Sequence, residues 1–146
     1  LDANGQLPGG VDVLLSYAYI DAEARSRVLD PAFSFQIEPG DPLINIPRHT
    51  LNVQVARHVT LGRRKALLGA GVQYVGKRNG ETGTDFTLPD HLLVRAFGHV
   101  DVTDGVQLFG SVANLFDAPW YANSYSPVWV QPGTPRTATI GLRAGF

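Results

Sequence analysis

Apolar and polar residues alternate with a period of two in six stretches of this chain, and turn-rich segments separate them. Successive side chains of a strand point to opposite faces, so each stretch predicts a strand with one apolar side. In residues 11–20, Val13, Leu15, Tyr17 and Tyr19 share a face against Asp12, Ser16 and Ala18, with Leu14 and Ile20 as exceptions. In residues 50–59, Leu51, Val53 and Val55 oppose Asn52, Gln54 and Ala56. In residues 66–77, Leu68, Ala70, Val72 and Tyr74 oppose Gly69, Gly71 and Gln73. Residues 91–102 place Leu92, Val94, Ala96, Gly98, Val100 and Val102 opposite Arg95, His99 and Asp101, with Leu93 and Phe97 out of pattern. Residues 106–116 set Val106, Leu108, Gly110 and Val112 against Gln107, Ser111 and Ala113, with Phe109 out of pattern. The last stretch, residues 136–146, has Ala138, Ile140, Leu142, Ala144 and Phe146 on one face and Thr137, Thr139, Gly141, Arg143 and Gly145 on the other. Internal glycines and β-branched residues disfavour a helical reading of any of them.

The connections alternate in length. Residues 60–65 and 103–105 are short links, whereas residues 21–49, 78–90 and 117–135 are long. In an antiparallel meander, that order collects the long loops at one end and the tight turns at the other. Outer-membrane barrels share this asymmetry, with short periplasmic turns and long extracellular loops. Strands of about ten to twelve residues, tilted about 40°, cross a hydrocarbon layer roughly 25 Å tall. The apolar faces then meet lipid, and the final strand runs inward. The alternation also fits a soluble β-sandwich, which hides one face of each sheet. Small residues on the polar faces, the loop asymmetry and the terminal aromatic favour the barrel.

Composition agrees. Charged residues make up 17%, below the usual quarter, and 16 glycines with 10 prolines supply turns. A formal net charge of -1 argues against nucleic acid as a partner. No run is long and apolar enough for a membrane helix, which leaves barrel strands open. With no cysteine, disulfides and thiolate chemistry are excluded. The absence of methionine and the start at Leu1 predict the C-terminal piece of a longer protein. Since six strands cannot close a barrel, earlier strands are expected to supply partners for the first and last.

Short motifs occur in a specific order. Val112-Ala113-Asn114-Leu115-Phe116-Asp117 is followed by Tyr121-Ala122-Asn123-Ser124-Tyr125-Ser126, then by Gln131-Pro132-Gly133-Thr134-Pro135-Arg136. Ile46-Pro47-Arg48-His49 and Tyr74-Val75-Gly76 lie upstream. Together they resemble the C-terminal end of a TonB-dependent outer-membrane receptor of the ferric-siderophore type. Ala118-Pro119-Trp120 departs from the pattern, where a basic residue and tyrosine are usual. The resemblance implies an all-β fold: a curved antiparallel meander of about six strands over residues 1–146, the C-terminal part of a 22-strand transmembrane β-barrel. It implies a plug domain and an energy-coupling motif in the missing N-terminal region, through which the TonB complex acts. A ferric siderophore is the implied ligand; haem, cobalamin or a glycan is the alternative.

The candidate ligand contacts are Trp120, Tyr121, Tyr125 and Trp129, aromatics able to stack on a chelate, together with His49 and Arg78 at outer strand ends. Packing of loops and solvated rim charges are the competing readings. Tyr17, Tyr19, Tyr74 and Phe116 fit an interfacial aromatic girdle. Phe146 matches the terminal signal read by the outer-membrane assembly machinery. No catalytic constellation, phosphate loop or metal-ligand spacing stands out, so no enzyme activity and no cofactor is expected. The expected location is the outer membrane of a Gram-negative bacterium, in contact with the lipid bilayer.

Overall fold

The computed structural model describes residues 1–29 and 36–145. Among the described residues thirteen strands occur in chain order: β1 (Asp2–Leu7), β2 (Val11–Tyr19), β3 (Val28–Leu29), β4 (Gln36–Ile37), β5 (His49–Leu61), β6 (Arg64–Val75), β7 (Arg78–Asn79), β8 (Thr87–Leu88), β9 (His91–Thr103), β10 (Val106–Ala113), β11 (Tyr121–Ser126), β12 (Trp129–Pro132) and β13 (Thr137–Ala144). Seven of these form one antiparallel sheet in the order β1-β2-β5-β6-β9-β10-β13. The other six pair as three small hairpins inside the long loops.

All six strands expected from the alternation are present, and a seventh precedes them. β1 also alternates, with Ala3, Gly5 and Leu7 opposite Asp2, Asn4 and Gln6, but two small residues dilute its apolar side. The expected even count is therefore corrected to seven. The direction of β13 is unaffected, because it is set by antiparallel pairing with β10. The strand expected over residues 106–116 stops at Ala113, because Asn114 turns the chain with a φ of 48°.

Register joins the separate apolar faces into one surface, since directly opposed residues of antiparallel strands share a side. One row across the sheet reads Leu7, Val11, Arg57, Leu68, Gly98, Gly110, Ile140. The next row outward reads Gly5, Val13, Val55, Ala70, Ala96, Val112, Ala138. Further out, Tyr17, Leu51, Tyr74 and Leu92 share a row. Ile140 is 77% exposed and Leu142 69%, as suits side chains meeting lipid.

The opposite face is polar, and its out-of-pattern aromatics fit it by lying over glycines. Phe97 pairs with Gly69, and Phe109 pairs with Gly141. A Cβ on Gly69 would lie 2.3 Å from the Phe97 ring, and one on Gly141 2.5 Å from Phe109. The rings therefore cover the bare backbone of the neighbouring strand. Arg95 sits 5.3 Å above the Phe97 ring and Arg143 6.0 Å above Phe109, adding cation–π attraction. Arg95 also donates to the Gln54 side chain.

Tight turns connect β1 to β2, β5 to β6 and β9 to β10 at one end. Gly62 (φ 65°) and Gly105 (φ 87°) take left-handed positions there that other residues adopt only with strain. Gly145, which follows β13, returns to the same end and donates its N–H to Gly105 O at 2.8 Å.

Candidate functional site

The three long loops gather at the other end, and most of the buried side chains are there. Arg78, Asn79, Glu81, Leu88, Asn114, Ser124 and Ser126 are each under a tenth exposed. This is a largely polar centre, which stands only if its groups find hydrogen-bond partners.

Asn45, at φ 60°, links the first long loop to both others. Its side chain donates to Ser124 O at 2.7 Å and accepts from Ser124 N–H at 3.0 Å, while its own N–H reaches Asn79 O at 2.8 Å. Asn79 donates to Pro42 O and Glu81 O, and Ser124 Oγ donates to Gly80 O at 2.6 Å. Ile44 N–H donates to Thr82 Oγ1 at 2.9 Å. Arg78 clamps the second loop to the third, with Nη2 donating to Tyr121 O at 2.6 Å and Ala122 O at 3.1 Å. Burial pulls its guanidinium below the usual arginine pKa. Arg78 Nη1, His91 Nδ1 and Ser126 Oγ have no hydrogen-bond partner among the described residues.

The third loop turns on a corner built from the Asn114-to-Asp117 motif. Asn114 Nδ2 donates to Ala118 O, and its Oδ1 accepts from Ala118 N–H, each at 2.9 Å. Asp117, at φ 54°, accepts from Arg136 N–H at 2.7 Å and so ties the two ends of the loop together. Trp120 lies against Gly133, donates its indole N–H to Thr134 O at 3.0 Å, and packs on the His91 ring at 4.8 Å.

The expected contact residues therefore separate by position. Tyr121, Tyr125 and Trp129 lie on the β11–β12 hairpin, and all are exposed, Trp129 at 73%. Trp120 is engaged within its own loop and against His91. Arg78 is buried between loops instead of standing solvated at a rim. His49 shares a face with Tyr17 and Tyr19, on the apolar side of the wall: its Nδ1 meets Tyr17 Oη at 2.8 Å and its ring lies 5.1 Å from Tyr19. Phe146 lies outside the described residues. Asn45, Asn79 and Ser124 were not among the candidates, although each holds loops together. Asn45 gave a faint signal, as asparagine in a long loop, two residues before Pro47, suits a left-handed turn.

An antiparallel wall that is apolar on one side and polar on the other, with long loops at one end and tight turns at the opposite end, is part of an outer-membrane β-barrel. Residues 1–115 match the family model described as TonB dependent receptor-like, beta-barrel. The chain belongs to that family, whose members are outer-membrane proteins of Gram-negative bacteria. It is 34% identical over its whole length to the metal-pseudopaline receptor CntO of Pseudomonas aeruginosa (strain UCBPP-PA14), of which it covers 20%. The siderophore receptor PiuA of Acinetobacter baumannii superposes with a TM-score of 0.80 at 18% identity, over 98% of this chain and 20% of that one. The ferric-catecholate import receptor Fiu of E. coli gives 0.75 at 19%, over 99% and 20%. The chain thus spans about one fifth of the length of these relatives. The wall fold replaces the sandwich alternative.

Proposed function

We propose that the receptor to which this wall belongs imports a metal chelate of the ferric-siderophore kind, with energy supplied by the TonB complex. The observation that carries the reading is the 34% identity, along the entire chain, to a receptor named for a metal–chelator complex. That name also favours a second reading, in which the chelated metal is not iron.

In this proposal the loop cluster is a scaffold and the β11–β12 hairpin is the presenting surface. The buried clamp from Arg78 and the Asn45–Ser124 pair fix the hairpin, so Tyr121, Tyr125 and Trp129 meet a ligand with little ordering left to do. A cleft of about 470 Å³ between the first and second outer loops is lined by Arg48, Lys77 and Arg78 together with Asp41 and Asp85, a mixed-charge surface that suits a polar chelate. Arg48 is partly neutralised by Asp21 at 3.1 Å and Glu23 at 3.5 Å, and Arg78 is buried in its clamp, which leaves Lys77 as the exposed cation of the cleft, with Asp41 and Asp85 nearby. Phe146 is proposed as the residue that the assembly machinery reads.

Uptake of radiolabelled metal chelates by parent and deletion strains, under metal limitation, tests the function. Loss of uptake of one chelate in the deletion strain, restored by the gene, is expected. Equal uptake of every chelate by both strains refutes it. Replacing Tyr121, Tyr125 and Trp129 together by alanine should weaken binding of that chelate while leaving the folded receptor at its normal level in the membrane.

A further inference from the structure

Arg57 is the one charged residue in its lipid-side row, between Val11 on β2 and Leu68 on β6. It is exposed and has no acidic partner among the described residues. Arg64 lies on the same face, opposite Leu61 at the β5–β6 turn, and Arg63 is in the turn itself. A cation facing lipid is costly at mid-depth and tolerable near an interface, where a long side chain reaches the headgroups. The Arg57 row stands four residues from the Leu61–Arg64 pair, about 13 Å along the strand and roughly 10 Å along the membrane normal at a tilt near 40°. That distance exceeds the easy reach of a side chain, so Arg57 needs an anion brought to it.

Beside these cations the wall is hollow. Gly98 and Gly110 face each other across β9 and β10, with Leu68 on one flank and Ile140 on the other. They floor an apolar groove of about 390 Å³, which continues into one of about 240 Å³ that reaches Leu61 beside Arg64. From Arg64 to Ala70 the wall rises about 20 Å along the strand, or roughly 15 Å of depth, which is one leaflet of the bilayer. The groove therefore opens at the tight-turn end and ends near mid-membrane.

We propose that this groove and its arginines bind one anionic phospholipid of the inner leaflet, with an acyl chain over Gly98 and Gly110 and the phosphate between Arg57 and Arg64. Charge complementarity and depth select that occupant. Lipopolysaccharide belongs to the opposite leaflet, and a second protein copy would not account for two arginines without acidic partners on the groove's face of the wall, Arg57 level with its glycine floor and Arg64 nearer the turn.

The test is native mass spectrometry of the intact receptor, extracted from outer membranes and loaded with phosphatidylglycerol or phosphatidylcholine of equal chain length. Preferential retention of phosphatidylglycerol is expected. The double variant R57Q/R64Q, at two exposed positions, should lower that retention roughly 30-fold and remove the preference. Gly110→Leu should lower retention of both lipids. A Cβ there meets only Thr139 O at 3.5 Å, whereas one at Gly98 would lie 2.6 Å from Leu67 O, so Gly110 is the position to fill. Unchanged phosphatidylglycerol retention in both variants overturns the proposal. Lipopolysaccharide retained in its place, or a receptor dimer cross-linked through Gly110→Cys, overturns it as well.

Discussion

Several residues that carry the family resemblance hold backbone in place. Asn114 and Asp117 form the corner that ends β10, Gly133 admits the Trp120 indole, and Gly76 donates its N–H to His49 O at 2.9 Å. The Asn114 and Asp117 side chains are matched to particular backbone atoms, and the two glycines leave room for a close neighbour, which explains why such short motifs are informative. The Asn45–Ser124 pair is of the same kind and invites a direct test. Asn45→Ala removes both bonds and leaves the Ser124 N–H and C=O partly buried without them, at a cost of about 1–3 kcal/mol. Hydrogen exchange should show the Ser124 amide losing protection while amides in mid-β5 and mid-β6 keep theirs. Uniform loss of protection through the sheet would show that the loop cluster does not open by itself. Asn45→Gly, which keeps the left-handed backbone and deletes the bonds, separates strain from hydrogen bonding.

At the scale of the strand, each face follows a different rule. The lipid face requires only apolar side chains, so its pattern is readable in any one strand. The polar face contains aromatics that break the alternation, and only pairing explains them: Phe97 and Phe109 are tolerated because Gly69 and Gly141 lie opposite. Gly69→Val puts branched carbon where the Phe97 ring is, and overpacking of this sort costs about 1–3 kcal/mol. Gly110→Ala, which meets nothing closer than Thr139 O at 3.5 Å, should be near neutral. Thermal unfolding of the two variants in detergent checks the contrast. Equal melting temperatures would show that the ring does not depend on the glycine.

For the molecule as a whole, the governing fact is that β1 and β13 each pair on one side only, at opposite edges of a seven-stranded sheet. Unpaired edges template further pairing, and only barrel closure abolishes them. The chain expressed by itself should therefore require detergent and associate through these edges. Sedimentation in detergent should report oligomers of mixed size. A monomeric 146-residue product, soluble without detergent and unfolding cooperatively, would overturn the barrel-wall reading. The full receptor should sediment as a discrete species under the same conditions.

By itself the sequence determined the all-β class, the six longer strands, which side of each strand is apolar, and the end at which the long loops lie. These are local properties, because period-two alternation and turn residues act within one strand or one connection. β1 was as regular but was too short and too rich in small residues to stand out. Only the tertiary structure decided which residues of different strands stand side by side. Register made a lone cation in an apolar row out of Arg57, and matched phenylalanines to glycines about thirty residues away. It also turned Arg78 from a rim charge into a buried clamp, and placed His49 on the lipid side with Tyr17 and Tyr19. The physical reason is that the buried polar bonds between loops span 37 to 79 positions of sequence, a separation over which local pattern carries no information.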